Sequence, residues 1–372
     1  MGINAIIPWV LMERTRTQRR PRRKSVYRRR PQLPGSQARL LGLEVITDSW
    51  HLIRSMHLAI AAVIVVGITV IEPTVAQERP NAGLSLSTVG IRTKDYAESM
   101  SFYTRIMGFR AAFSFSPNGQ TMNTYFQLSR DTFLELQEAP ANTSSGFSHI
   151  HMRAEDVDAS LARLRQVGVP TCDGTRKTGC LMDVRIAQPT KEKSATIIDP
   201  SGIRIEPTEF TPGSLTRKAV DSWKNENPPV RLLVVGIAVK DYPESQQFYG
   251  KLMAFPVAFK FSSPDGQRTT TYYQISRDTF LEMQLATTDA PPAITHVHIL
   301  TDDLTAEIAR LRQSGLASGA RDTTSPKTVS EPGIVQPSNV KSANVFDPNG
   351  LRLELNEWLP DSLPKKAVES WK

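Results

Sequence analysis

The chain has 372 residues, 40% of them hydrophobic, and a formal net charge of +8, which is enough for two or three globular domains. The charge is concentrated at the start, because residues 1–55 contain 12 Lys and Arg against 3 Asp and Glu. The remainder is close to neutral and lacks the basic surface that nucleic-acid-binding proteins use. We therefore expect no nucleic-acid partner for that part of the chain.

The N-terminal region divides into two segments. Residues 1–55 contain the cluster RRPRRKSVYRRR and are predicted to be a disordered basic leader or an upstream extension of the reading frame. Residues 58–71 are uncharged and apolar, too short a run for a bilayer span of ~20 residues but suited to a signal peptide. With Ala76 as the cleavage boundary, residues 56–77 predict export to the periplasm or the exterior. The alternatives are an uncleaved membrane anchor, which would confine membrane contact to this segment, and after it a buried core helix.

Cysteine usage agrees with export. The only two cysteines, Cys172 and Cys180, lie eight positions apart in one loop. Such a pair is typical of a local disulfide in an oxidising compartment, and two cysteines alone do not make a zinc site.

The rest of the chain is a duplication. The heptapeptide SRDTFLE occupies residues 129–135 and again residues 276–282. His149 corresponds in the same way to His296, and Trp223 to Trp371. A period this long indicates two complete domains rather than a solenoid, and we place them at residues 86–224 and 231–372.

Each repeat contains a strand, a helix and three strands, twice over. In the first repeat, Asp95 and Asp156 each precede an apolar helical pattern and are predicted to be N-caps. These modules of βαβββ type predict an α+β fold in which a concave mixed sheet carries its helices on the outer face. The predicted elements of the first repeat are strands 88–93, 109–116, 121–128 and 132–138 with a helix from Asp95 to Gly108, then strands 148–154, 194–198 and 203–209 with a helix from Asp156 to Gly168.

Strand alternation predicts a metal site in each repeat. Side chains on a strand point to opposite faces in turn, so the acids and imidazoles share the face opposite to the leucines and isoleucines. Carboxylates and imidazoles that converge from several strands are the ligands of divalent metal ions. The acids and imidazoles that share this face are Glu135, His149, His151 and Glu206 in the first repeat, and Glu282, His296, His298 and Glu354 in the second.

These motifs resemble the vicinal oxygen chelate superfamily, which includes glyoxalase I, the extradiol dioxygenases and the fosfomycin- and bleomycin-resistance proteins. The resemblance covers residues 88–210 and 234–357. It is carried by Asp followed by a helix containing Phe-Tyr, by the LEL and LEM strands, by the two His-x-His strands, and by DPSG and DPNG before the last strand. It implies two tandem domains of this fold, each built from a pair of modules.

The resemblance also implies four ligand positions per domain, of which this chain keeps three: Glu135, His149 and Glu206 in the first repeat, and Glu282, His296 and Glu354 in the second. The first-strand positions are Thr88 and Val234, and neither residue is a competent ligand. His151 and His298, two residues beyond His149 and His296 on the same face, are the candidate replacements. The implied cofactor is a divalent ion, Zn, Ni, Mn or Fe, with a metal-free site as the alternative.

The function that follows is a metal-dependent enzyme acting on a small oxygenated metabolite, by isomerase or lyase chemistry or by ring cleavage. The alternative is a metal-free small-molecule-binding protein, as in the bleomycin-resistance proteins. The predicted catalytic groups are Glu135, Glu206, Glu282 and Glu354, and the predicted substrate-binding residues are Phe133, Phe280, Arg204 and Arg352.

Overall fold

The computed structural model describes residues 83–225, 228–263, 268–288, 290–321 and 324–371. The predicted leader and the predicted signal segment at residues 56–77 lie outside this range. Within it, no helix is long and apolar enough to span a membrane. Cys172 and Cys180 form a disulfide bond, which confirms the predicted pair.

The first half of the described chain contains ten strands and three helices. The first helix opens at Asp95, whose carboxylate accepts a hydrogen bond from the backbone N–H of Glu98, as the capping pattern predicts. In chain order the elements are β1 (Leu84–Thr93), α1 (Tyr96–Ser101) with a π-helical continuation (Phe102–Ile106), β2 (Arg110–Phe115), β3 (Asn123–Gln127), β4 (Phe133–Glu138), β5 (Gly146–Ala154), α2 (Val157–Gln166), β6 (Cys180–Leu181), β7 (Arg185–Ile186), β8 (Lys193–Ser194), β9 (Ile197–Ile198), β10 (Arg204–Glu209) and α3 (Leu215–Ser222).

The second half follows the same plan with longer late strands. Its elements are β11 (Val230–Val239), α4 (Tyr242–Gln246) with a π-helical continuation (Gln247–Leu252), β12 (Val257–Ser262), β13 (Thr269–Ser276), β14 (Thr279–Leu285), β15 (Ala293–Thr301), α5 (Leu304–Gln313), β16 (Ala317–Ser318), β17 (Thr328–Val329), β18 (Gly333–Val335), β19 (Val340–Phe346), β20 (Arg352–Trp358) and α6 (Leu363–Glu369).

The two modules of a repeat pair with each other within the same half. Along the first sheet the order is β2-β3-β4-β1-β5-β10-β8-β7, with β9 also pairing with β10, and along the second it is β12-β13-β14-β11-β15-β20-β19-β17-β16. The strands that open the two modules, β1 and β5, run antiparallel side by side, while β1 pairs in parallel with β4. Each half is therefore one curved mixed sheet of the predicted α+β class.

One predicted strand is wrong in the first half. Residues 194–198 were expected to form a single strand, but they divide into β8 and β9. Pro207 on the neighbouring strand β10 has no N–H to donate to the ladder. The corresponding position in the second half is Leu355, which pairs with Ala343, and there β19 runs unbroken.

The apolar faces of both sheets contribute to one hydrophobic core. Ile150 and Leu161 of the first half belong to the same buried cluster as Val297 and Ile308 of the second. Two buried hydrogen bonds cross between the halves: the Tyr103 hydroxyl donates to Asp347 at 3.0 Å, and the Tyr249 hydroxyl donates to Asp199 at 2.8 Å. The polar sheet faces are consequently left to line separate cavities.

Candidate metal centres

The first centre starts from Glu135, on the inward face of β4. Its Oε1 atom accepts hydrogen bonds from the side-chain amides of Asn123, at 2.8 Å, and Gln137, at 3.1 Å. Its Oε2 atom is buried and has no hydrogen-bond partner of good geometry. The carboxylate is thus fixed through one oxygen while the other points toward the imidazoles of β5.

His149 approaches that oxygen by crossing over Gly90 of β1. A Cβ atom at Gly90 would lie 2.4 Å from Cε1 of the His149 ring, so only glycine allows the ring to lie there. The ring is oriented by a contact of 2.8 Å between its Nδ1 and the hydroxyl of Ser148. Its Nε2 atom reaches Glu135 Oε2 at 3.0 Å.

His151 completes the first cluster. Its Nε2 atom lies 2.6 Å from His149 Nε2 and 3.6 Å from Glu135 Oε2. It also lies 3.5 Å from Glu206 Oε2, while its Nδ1 atom contacts the hydroxyl of Thr208 at 3.1 Å. Both imidazoles therefore turn their Nε2 atoms toward one carboxylate oxygen.

The second half repeats this arrangement. His296 Nε2 and His298 Nε2 lie 3.3 and 3.1 Å from Glu282 Oε2. Gly236 takes the place of Gly90, since a Cβ atom there would lie 2.2 Å from Cε1 of His296. The phenol of Tyr272, opposite Glu282 on β13, donates to Oε2 at 2.6 Å.

Asn356 fixes the tautomer of His298. Its Oδ1 atom lies 2.8 Å from His298 Nδ1, and its Nδ2 donates to Glu354 Oε1 at 3.3 Å. Both contacts require the same orientation of the amide, so Nδ1 of His298 carries the proton. Nε2 then presents a lone pair, and this buried atom has no hydrogen-bond partner of good geometry, its near neighbour being Glu282 Oε2 at 3.1 Å. A histidine held in this way is prepared to bind a metal.

Electrostatics favour a cation at both centres. Burial alone would raise the pKa of Glu135 and of Glu282, but the adjacent histidines outweigh it and lower both. Burial lowers the pKa of His149 and of His296. It acts in the same direction on the second imidazole of each pair, where the neighbouring carboxylates prevail and raise the pKa. Each cluster thus stabilises added positive charge, which a proton or a metal ion can supply.

The donor set corrects the predicted one. The groups whose ligand atoms all lie within 4.8 Å of one another are Glu135, His149 and His151, and Glu282, His296 and His298, all buried. The resemblance implied two carboxylates and one imidazole in each set, with His151 and His298 as substitutes, whereas the structure brings both imidazoles and one carboxylate together. Glu206 and Glu354 sit beside the second imidazole, paired in register with His151 and His298 on the adjacent strand. The set of two imidazoles and one carboxylate fits a divalent transition metal.

A protein-family model matches both halves of the chain. The profile of the Glyoxalase/Bleomycin resistance protein/Dioxygenase superfamily matches residues 85–206 and 231–355. The chain belongs to this superfamily. No curated protein sequence matches it.

Several solved structures share the fold of this chain. A halotolerant catechol dioxygenase is 17% identical with a TM-score of 0.52, covering 74% of this chain and 88% of that one. The Mn(II)-bound glyoxalase of Novosphingobium aromaticivorans is 16% identical with a TM-score of 0.53, covering 73% and 81%. Homoprotocatechuate 2,3-dioxygenase of Arthrobacter globiformis is 19% identical with a TM-score of 0.52, covering 77% and 84%.

The first-strand positions at which the resemblance implies a ligand are occupied by Thr88 and Val234. Thr88 pairs in register with His151, and Val234 pairs with His298. The second imidazole of each half therefore stands across the strand from the missing ligand. This placement is why His151 and His298, the candidate replacements, can reach the cluster.

Phe133 and Phe280 lie away from the cavities. Both are fully buried, Phe133 against Phe210 and Val220 beside helix α3, and Phe280 against Trp358 beside helix α6. The C-terminal helices cover this end of each sheet, so the placement argues against the predicted role in stacking on a substrate. Arg204 and Arg352 do line the cavities of their halves.

Tyr125 and Tyr272 are site residues that sequence reasoning missed. Each lines its cavity opposite the glutamate of the cluster. Burial, reinforced by that glutamate, raises the pKa of both phenols well above the usual value, so they remain protonated donors. The sequence repeats the motif as TYFQ at residues 124–127 and TYYQ at residues 271–274. Its aromatic residues are also typical of a buried strand, so the motif did not indicate a site.

Proposed function

We propose that the chain is a divalent-metal-dependent enzyme of this superfamily that acts on a small oxygenated metabolite. The observation that carries the proposal is the buried cluster of Glu282, His296 and His298, whose ligand atoms all lie within 4.8 Å of one another and in which Nε2 of His298 has no hydrogen-bond partner of good geometry. Glu135, His149 and His151 would hold an ion in the first half. When bound, such an ion supplies Lewis-acid chemistry toward substrate oxygens.

The donor set favours ring-cleaving oxygenase chemistry over isomerase or lyase chemistry. Two imidazoles and one carboxylate, with other coordination positions open, are typical of non-haem Fe(II) oxygenases. The dioxygenases among the structural neighbours support this choice, although the Mn(II)-bound glyoxalase shows the same fold. Iron or manganese is therefore our first choice of metal, ahead of zinc and nickel.

The residues around the second cluster have distinct roles in this proposal. Asn356 orients His298, and Tyr272 holds Glu282 by donating to its Oε2 atom. Glu354 stands next to His298 on β20. Burial would raise its pKa, but His298 and His296 lower it to about 2. Glu354 is consequently ionised at neutral pH and is placed to accept a proton from a substrate hydroxyl or to serve as a further ligand.

We assign catalysis to the second half rather than the first. The cavity that contains Glu282 and both of its histidines has a volume of about 980 Å³, against about 230 Å³ for the cavity around Glu135. Ligand cavities of small molecules measure roughly 300–1,000 Å³. The second cavity is thus large enough for a metabolite beside the cluster.

A metal-free binding role is the alternative for the first half. There, both Arg185 and Arg204 form ion pairs with Glu206, so this carboxylate is already neutralised without a metal. The observation is specific to the first half, because Glu354 has only neutral hydrogen-bond partners in Ser342 and Asn356.

Elemental analysis of the purified full chain tests the proposal. We expect bound Fe or Mn, and we expect the second-half ion to be lost in Glu282→Gln because that change removes the charged ligand. Glu244→Gln, an exposed glutamate on α4 of the same half, is the matched control and should retain the ion. O₂ uptake with catechol then separates ring cleavage from isomerase chemistry. A wild-type chain that binds no divalent ion would overturn the enzyme proposal in favour of the metal-free binder.

Export is a separate proposal. It is supported by the disulfide between Cys172 and Cys180 and by the apolar run at residues 58–71. N-terminal sequencing of the mature protein should begin at Gln77, the residue after the predicted cleavage boundary. A mature chain that retains residues 56–77 would favour the membrane anchor instead.

A further inference from the structure

We propose that the second cavity recognises a negatively charged group on its substrate, of the size of a carboxylate, through Arg352 of the second half and Arg92 of the first. The inference rests on the proposed function in one respect, because it takes this cavity to be the substrate site. It goes further by naming the charge of the substrate and by making the site a product of both halves.

Arg352 lies beside the cluster of Glu282, His296 and His298 and can form an ion pair with a ligand. It is the first residue of β20 and pairs in register with His296, two positions before Glu354 on the same inward face. Among the described residues, its guanidinium forms no ion pair within 4.0 Å, although its charge acts on Glu354 at longer range. A guanidinium presents a fork of N–H donors that matches a carboxylate. The free fork at this position is therefore suited to an anionic group of a ligand bound next to the cluster.

Arg204, the arginine at the corresponding position of the first half, is paired with a carboxylate of the protein. Arg204 forms an ion pair with Glu206, and Arg185 approaches the same oxygen at 3.2 Å. In the second half, Oε1 of Glu354 accepts from the Ser342 hydroxyl at 2.8 Å and from the amide of Asn356 at 3.3 Å. These neutral donors satisfy the carboxylate oxygen that would otherwise recruit Arg352. The same strand position thus carries a neutralised arginine in one half and an unpaired one in the other.

The balance of charge around the two cavities is opposite. Among described residues, three arginines and two glutamates line the second cavity, whereas two arginines and three glutamates line the first. One of the three arginines, Arg321, donates through both terminal nitrogens to Ser342 and so mainly holds the donor to Glu354. A divalent ion at each cluster would add the same charge to both, leaving the second cavity the more positive. Positive clefts concentrate anionic ligands.

Arg92 brings a cationic side chain from the other half. It is the penultimate residue of β1, and it lines the second cavity together with Phe147 of β5. The corresponding residue of the second half is Ala238, since Arg92 pairs with Gln137 and Ala238 with Gln284. The first cavity can therefore receive no equivalent charge from this position. Of the two cavities that contain a Glu-His-His cluster in the described residues, the second is lined by both halves and the first by its own half.

The test compares two probes that share a ring and differ in one carboxylate: 3,4-dihydroxyphenylacetate and the neutral 3,4-dihydroxyphenylethanol. Binding to the full chain is measured by calorimetry, anaerobically, with and without added Mn(II). We expect the carboxylate probe to bind at least tenfold more tightly than the neutral one. Arg352→Gln should weaken the carboxylate probe roughly 10- to 100-fold, as for loss of a charge-assisted hydrogen bond, and should leave the neutral probe within about twofold. Arg92→Gln should act in the same direction by a smaller factor.

The controls separate this inference from the proposed function. Arg165→Gln removes a surface charge that is paired with Asp183 and should change neither probe. Metal content is measured on every variant, so that loss of the ion is distinguished from loss of the anion contact. A carboxylate probe that fails to bind, binds no better than the neutral probe, or is unaffected by Arg352→Gln overturns the inference, even if the ion is present. Charge-selective binding in a chain that holds no metal would instead support the inference and overturn the enzyme proposal.

Discussion

The two halves have the same Glu-His-His cluster but differ in the partners of the glutamate beside it. Glu206 of the first half is bound by the guanidinium groups of Arg185 and Arg204. Glu354 of the second half is bound by a hydroxyl and an amide, and its cavity is about four times larger. The comparison shows that a duplicated ligand set does not make two equivalent sites, because residues beside the ligands decide which charges remain available.

The glycine beneath the first imidazole offers the largest expected effect. Gly236→Ala places a Cβ atom 2.2 Å from the His296 ring, which must leave its position over β11. We expect metal affinity of the second half to fall roughly 100-fold or more, since a ligand is displaced. Gly174→Ala is the matched control, because a Cβ atom there meets nothing within 4 Å. Metal titration of both variants checks the prediction, and equal affinities would show that the ring does not need this space.

The disulfide distinguishes the halves in stability. Cys172 and Cys180 close a loop with a separation of 8 residues in the first half, and the second half has no counterpart. Loop-closure entropy predicts that Cys172→Ala/Cys180→Ala lowers the free energy of unfolding by about 2–3 kcal/mol. Urea unfolding with and without a reductant measures this. A double variant as stable as the oxidised wild type would mean that the bond is strained or is not formed.

The burial of the Asp199 carboxyl predicts a pH dependence of stability. Burial raises the pKa of Asp199 to about 6, so the folded state holds a proton that the unfolded carboxyl releases near its ordinary pKa of about 4. This contribution to stability is present below that ordinary pKa and is lost as pH rises to about 6, a change of about 3 kcal/mol. Asp199→Asn should lack it. Parallel pH series of urea unfolding should diverge between pH ~4 and ~6, whereas parallel curves would contradict the raised pKa.

Asn356 offers the smallest and most specific change. Asn356→Thr gives the second half the residue that Thr208 provides in the first, so the Nδ1 proton of His298 is no longer fixed by an amide oxygen. Loss of such an outer contact typically costs 10- to 100-fold in metal affinity, and we expect about tenfold. The reciprocal Thr208→Asn should strengthen the first site if the tautomer argument holds. Metal titration of both variants tests this prediction. Unchanged metal affinity in both would show that Asn356 does not prepare His298 for metal binding.

The sequence predicted the fold and most of the clusters because both follow from periodicity. Alternation along β4 and β5 requires Glu135, His149 and His151 to share a face. Choosing His151 over Glu206 as the third member required the pairing register and the space above Gly90, which no strand pattern contains. Strand alternation placed Phe133 on the face of Glu135 and so predicted that it stacks on a substrate. It could not predict that helix α3 covers that end of the sheet, because this is a tertiary contact.

The most direct test of the central claim is the location of a metal in the crystal. Crystals of the full chain grown with Mn(II), with data collected at the manganese absorption edge, would give an anomalous difference map. We predict a peak bounded by the Glu282 carboxylate and the Nε2 atoms of His296 and His298. A map without a peak there, at Mn(II) concentrations that saturate the protein in solution, would contradict the account.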